Sequence, residues 1–142
     1  MKIVDANVLL HAVNTSTADH AAAREWLDGA LSGGAQVGLA WLPLVAFVRL
    51  STRPGLFAHP LTPDEALDVV DAWTGAPSAV QIQPGPRHTR LLRTLLMATG
   101  TAGNLTNDAH LAALALEHGG EVVTFDGDFD RFPGVRWHRP ER

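Results

Sequence analysis

A chain of 142 residues, 46% apolar and 18% charged, has the make-up of one folded domain over residues 1–142 with a real core, which excludes a disordered segment. It contains no cysteine, which excludes disulfide scaffolding and thiolate catalysis and favours a reducing, cytoplasmic setting. A formal net charge of −4 argues against broad non-specific affinity for nucleic acid while leaving a specific contact open.

In chain order, Ile3 and Val4 form a short buried strand that ends at Asp5, directly ahead of Ala6-Asn7-Val8-Leu9-Leu10. No cleavable apolar leader is visible there, so no signal peptide is expected. Residues 18–32 carry Ala22, Trp26, Leu27, Ala30 and Leu31 on one helical stripe, stopped by Gly33-Gly34. That stripe serves either the core or a contact with a partner. Residues 36–40 suit a second strand, and "WLPLVAFVRLST" reads as a mostly buried helix ended before Arg53-Pro54-Gly55. The greasy run from Val37 to Phe47 is interrupted by Pro43 and too short to cross a bilayer, so no membrane partner is expected.

"HPLTPDEALDVVDAW" holds a strong helix start, with Thr62 as N-cap, Pro63 at the first helical position and Glu65 completing a capping box. Val80 to Gln83 is a small strand. Pro86 then opens a helix with Leu91, Leu92, Leu95 and Leu96, halted near Gly100. Residues 107–118 form another helix with Leu111, Leu114 and Ala115 inward and Gly119-Gly120 as its stop. Glu121 to Phe125 is a strand, and "GVRWHR" supplies a last one. Strands alternating with helices predict an α/β fold, with a parallel sheet covered on both faces through right-handed crossovers.

Acids stand at the ends of these elements. Asp5 follows the first strand, Asp108 begins a helix, and Asp126 and Asp128 follow "VVTF". Each has an ordinary structural use. Asp5 suits an N-cap, Asp108 suits the helix dipole although Thr106 or Asn107 can already cap, and "FDGDFD" suits an acidic turn. Together they suggest more, because element ends of such a sheet share one edge and carboxylates gathered there repel unless a divalent cation holds them. Oxygen ligands of this kind suit Mg²⁺ or Mn²⁺. The seven histidines, by contrast, are scattered without the paired spacing of a zinc site. His110 adjoins the acid face and is read as core or surface before substrate contact.

These residues resemble a PIN-domain ribonuclease of the VapC toxin type. The resemblance spans nearly the whole chain and rests on "IVDANVLLHA", on "GNLTNDAHLAALALEHGGEVVTFDGDFDRFPGVRW" and on the central "FVRLSTRPGLFAHPLTPDEALDVVDAW" and "PGPRHTRLLRTLL". It implies a PIN-like α/β/α sandwich with a mostly parallel central sheet of four to five strands. It also implies a metal-dependent endoribonuclease, the toxin of a type II toxin–antitoxin system. Such an enzyme hydrolyses phosphodiester bonds of tRNA or rRNA, leaving a 5′-phosphate and a 3′-hydroxyl.

Residue by residue, Asp5, Asp108 and Asp126 match the family's metal-binding acids, and Asp128 matches a further catalytic acid. Asn7 matches the polar residue after the first Asp. Arg49 matches the arginine of the central helix and would reach phosphate or pair with a local acid. The implied partners are an RNA substrate, a cognate VapB-type antitoxin and a second copy in a homodimer. In one place the sequence departs from the pattern: Ala46 stands where a glutamate is usual, which removes an oxygen from the site. That gap supports an alternative, a catalytically weakened PIN-like module that binds antitoxin or RNA without cutting. A receiver-type phosphoacceptor also gathers acids over Mg²⁺ but needs a lysine after its last strand, and the chain's one lysine is Lys2.

Overall fold

A computed structural model describes residues 1–141. Its strands are β1 (Lys2–Val4), β2 (Val37–Leu39), β3 (Ala79–Gln81), β4 (Glu121–Val123) and β5 (Trp137–His138). They form one sheet in the order β3-β2-β1-β4-β5, and every pairing is parallel. Six α-helices connect them: α1 (Ala6–Val13), α2 (His20–Leu31), α3 (Trp41–Ser51), α4 (Pro63–Thr74), α5 (His88–Thr99) and α6 (Thr106–His118).

Period-two alternation in the central strands sorts the helices into two layers. Val4 and Val123 face the core made by α1 to α4, whereas Ile3 and Val122 face the core made by α5 and α6. In the first layer Phe47 of α3 meets Trp73 of α4 edge-on at 4.7 Å between ring centres. That geometry adds about 0.5–1.5 kcal/mol beyond simple burial. Gly38 completes β2 on the second face, where a Cβ would stand 3.0 Å from the Ile3 side chain.

The expected capping box of α4 forms as read, with the Glu65 N–H donating to Thr62 Oγ1 at 3.2 Å and the Thr62 N–H to Glu65 Oε1 at 3.0 Å. Gly119 ends α6 at φ +63°, and Gly120 passes so close to the Met1 carbonyl that a Cβ would meet it at 2.6 Å. This tight approach lets β4 enter beside β1.

Four expectations need adjusting. Helix α3 is not mostly buried: Trp41, Leu42 and Val45 are 48%, 38% and 56% exposed, because only one side of this apolar run meets the core. Helix α5 starts at His88 and not at Pro86, and of its leucines only Leu95 is fully buried. In α2 the inward residues are Ala23, Leu27 and Leu31, with Trp26 half-buried against His138. The stripe therefore serves mainly the core. Finally, α6 begins at Thr106 with no side-chain cap. Among the described residues no helix is long and apolar enough to cross a membrane.

Candidate active site

From β1 the chain steps outward to β2 and β3, then returns to the other side of β1 as β4. The strand order thus reverses between β1 and β4, and a crevice opens past their carboxyl ends, the usual place for a site in an open α/β sheet. β1 delivers Asp5 to that edge and β4 leads into Asp126. The first turn of α6 brings Asp108. A short 3₁₀ turn, Gly127–Arg131, brings Asp128, whose N–H is accepted by Asp126 Oδ1 at 2.9 Å.

An oxygen from each of Asp108, Asp126 and Asp128 lies within 4.8 Å of the others. Asp5 adjoins this trio with its own carboxylate fixed. Its Oδ1 accepts the Ala6 N–H at 2.7 Å, and its Oδ2 accepts Thr124 Oγ1 at 2.8 Å and Asn7 Nδ2 at 3.4 Å. Asp5 is also the N-cap of α1, so capping and a place in the site coexist.

Thr124 is the residue that sequence reasoning missed. It is fully buried, and its hydroxyl donates to Asp5 while accepting from Asn7 Nδ2 and from the Asp126 N–H, both at 3.0 Å. Asn7 adds a second tie, with its Oδ1 accepting the Phe125 N–H at 3.0 Å. One hydroxyl therefore sets Asp5 and the Asp126 backbone relative to each other. Within "VVTF" a threonine reads as a strand former. The available signal was a hydroxyl in an apolar run, two residues ahead of an acid.

The cluster is electrostatically tense. Burial first, then the charges of Asp5, Asp126 and Asp128, push the Asp108 carboxyl up to about 7. Burial also raises the pKa of Asp5, opposed by its hydrogen bonds from Thr124 and Ala6 and reinforced by Asp126. A divalent cation would relieve both effects.

Beside the acids lies a cavity of about 240 Å³, lined in part by Asp5, Asp108, Leu42, Ala46 and Arg49. Ala46 thus faces the acids at the place where the expected carboxylate is absent. Arg49 is exposed and pairs with no acid among the described residues. His110 lies elsewhere, in a separate cavity with Trp41, Leu42 and Ile82. It accepts or donates across 2.9 Å to His88, which in turn reaches Glu117 at 2.6 Å. Burial, and secondarily His88, lowers its pKa.

Residues 2–135 match the family model described as PIN domain. The chain belongs to the PIN-domain family. Within it the resemblance is to VapC proteins. The chain is 56% identical to Ribonuclease VapC37 of Mycobacterium tuberculosis, over 99% of this chain and 97% of that protein. It is 36% identical to Ribonuclease VapC33 of the same species, over 100% of this chain and 99% of that protein. Among solved structures, VapBC2 from Rickettsia felis bound to a promoter DNA fragment superposes with a TM-score of 0.71 at 16% identity, covering 97% of each chain. Mycobacterium tuberculosis VapC20, a sarcin–ricin-loop-cleaving toxin, gives 0.69 at 19% identity, covering 96% of this chain and 99% of that one. At such identities these two likenesses speak to the fold. The five-stranded parallel sheet between helical layers is accordingly the PIN fold, as expected.

Proposed function

We propose that this PIN-domain protein is a divalent-metal-dependent endoribonuclease and the toxin of a toxin–antitoxin pair. The observation that carries the reading is the convergence of Asp108, Asp126 and Asp128 oxygens within 4.8 Å, beside a hydrogen-bonded Asp5, at the sheet's switch point. The donor set is all oxygen and too crowded to ionise comfortably alone, which fits a hard cation such as Mg²⁺ or Mn²⁺. Asp108, Asp126 and Asp128 would hold it, with Asp5 directly or through water. When bound, such an ion makes water a stronger nucleophile and offsets charge developing on a phosphodiester.

The chain's own residues supply order and recognition. Thr124 and the Ala6 N–H aim the Asp5 carboxylate, and Asn7 anchors the loop that carries Asp126. Arg49 stands on the wall of the same cavity with no acid partner among the described residues, suited to meet a phosphate oxygen. Attack by water on phosphorus with departure of the 3′-oxygen leaves a 5′-phosphate and a 3′-hydroxyl.

RNA as substrate and a VapB-type antitoxin are supported by the names of the VapC relatives and the VapBC neighbours, and a homodimer remains the proposal drawn from the family resemblance. Ala46, lining the acid cavity, favours a second reading in which the site binds RNA or antitoxin without cutting. Induced expression with total-RNA end mapping, wild type beside Asp5→Asn, separates the two. New 5′-phosphate ends that vanish in the variant support cleavage, whereas identical end maps support the binding module.

A further inference from the structure

Beyond the acid cavity, an open cavity of about 330 Å³ lies between α1 and the carboxyl-terminal end of α3. Its walls include Asn7, Leu10, His11, Leu50, Arg53 and Leu56. We propose that this cavity is a nucleobase subsite, which seats the base next to the cleaved phosphate and sets which base is preferred. The proposal rests on the ribonuclease reading of the acid site and names a determinant of its specificity.

Size and chemistry favour a base. The volume stands at the small end of ligand cavities, roughly 300–1,000 Å³, large enough for one base and small for a peptide segment. The leucines offer apolar contact for a base face, and Leu56 is 46% exposed. His11 is held edge-on to Phe125 at 5.2 Å, with its Nδ1 bonded to Thr17 Oγ1 at 2.9 Å. Its Nε2 has no partner among the described residues, so it is available to a base edge, and imidazole rings are used to stack unpaired bases. At the lip, exposed Arg53 forms no ion pair among the described residues. In a chain of net charge −4 an unneutralised guanidinium beside an acidic crevice is suited to a phosphate.

Position favours the same occupant. Asn7 lines this cavity, and its amide also reaches Asp5 Oδ2 at 3.4 Å. Phe125, against which His11 packs, immediately precedes Asp126. The cavity is therefore one side chain away from two of the acids, as a neighbouring nucleotide of a bound strand requires.

The test measures binding and cutting separately. Binding uses Asp126→Asn protein with Mn²⁺ and single-stranded oligoribonucleotides carrying 2-aminopurine, or an abasic residue, at one position. Base stacking of this kind predicts ~tenfold tighter binding of the base-containing strand and a changed 2-aminopurine signal. Adding Leu56→Ser, at an exposed position, should weaken binding of the base-containing strand by about that factor and erase its preference over the abasic strand, whereas Arg53→Gln should weaken both strands alike. Arg90→Gln on the exposed face of α5 should change neither. Equal binding of both strands, unaltered binding in the two pocket variants, or variants that alter only self-association or antitoxin capture would overturn the subsite. In otherwise wild-type protein, cleavage whose base preference survives Leu56→Ser defeats the subsite and leaves the ribonuclease standing. Base-dependent binding without any cleavage leaves the subsite and defeats the ribonuclease.

Discussion

Replacing Asp108 by asparagine should make the metal-free protein more stable, an unusual direction for a change inside a site. In the folded chain this carboxyl is pushed from 3.8 up to about 7 by burial and by Asp5, Asp126 and Asp128. Such a displacement corresponds to at most about 4 kcal/mol. Asp108 is only half-buried, so solvent screening leaves about 1–2 kcal/mol. The proton retained on folded Asp108 favours folding below about pH 4, and this advantage is lost as the pH rises to about 7. At about 2.1 cal/mol/K per residue, asparagine should then raise the melting temperature of the 142-residue chain by about 3–7 °C at pH 8 in EDTA. The gap should narrow by more than half at about pH 4.5. Scanning fluorimetry of both proteins across this range provides the assay. A saturating divalent cation should reverse the order, because only the wild type keeps the full ligand set; at a hundredfold excess over Kd it gains about 2.7 kcal/mol. An Asp108→Asn protein that melts no higher than wild type at pH 8 in EDTA, or whose advantage is the same at every pH, would refute mutual repulsion as the state of this cluster.

Thr124→Val keeps the shape and removes the hydroxyl, leaving Asp5 Oδ2, Asn7 Nδ2 and the Asp126 N–H short of a partner. It should cost about 2–3 kcal/mol in urea unfolding and weaken Mn²⁺ binding in calorimetry, whereas Thr124→Ser should retain most of both. Ala46→Glu places a carboxylate on the wall of the acid cavity. The expected result is Mn²⁺ binding tightened several-fold, together with a metal-free protein less stable by about 1 kcal/mol, since a further like charge joins the cluster. Unchanged metal affinity would mean that this side chain does not reach the ion.

The parts of the fold legible in the sequence were those written in local chemistry. Thr62, Pro63 and Glu65 announce α4, Gly119-Gly120 announce the end of α6, and the acids mark the carboxyl ends of β1 and β4. What stayed hidden depends on packing between distant segments. The apolar run of α3 does not reveal which side meets Phe57 and Trp73 and which leaves Trp41, Leu42 and Val45 in solvent. Thr124 becomes a hub only because β1 and β4 are neighbours, a pairing across more than a hundred residues of chain. The packing of α6 beside β4 sets Asp128 within 4.8 Å of Asp108 and Asp126, a proximity that spacing along "DGD" does not encode.

The central claim, that these acids hold a cation which lets the protein cut RNA, meets its most direct test in purified protein. Wild type and Asp126→Asn are incubated with total RNA in EDTA, in Mg²⁺ and in Mn²⁺, and the new ends are mapped. The predicted result is cleavage by the wild type at discrete sites, only with a divalent cation, leaving 5′-phosphate and 3′-hydroxyl ends, with a loss of at least ~100-fold in Asp126→Asn. Cleavage that persists in EDTA or in the variant, or that leaves 2′,3′-cyclic phosphates, would contradict it.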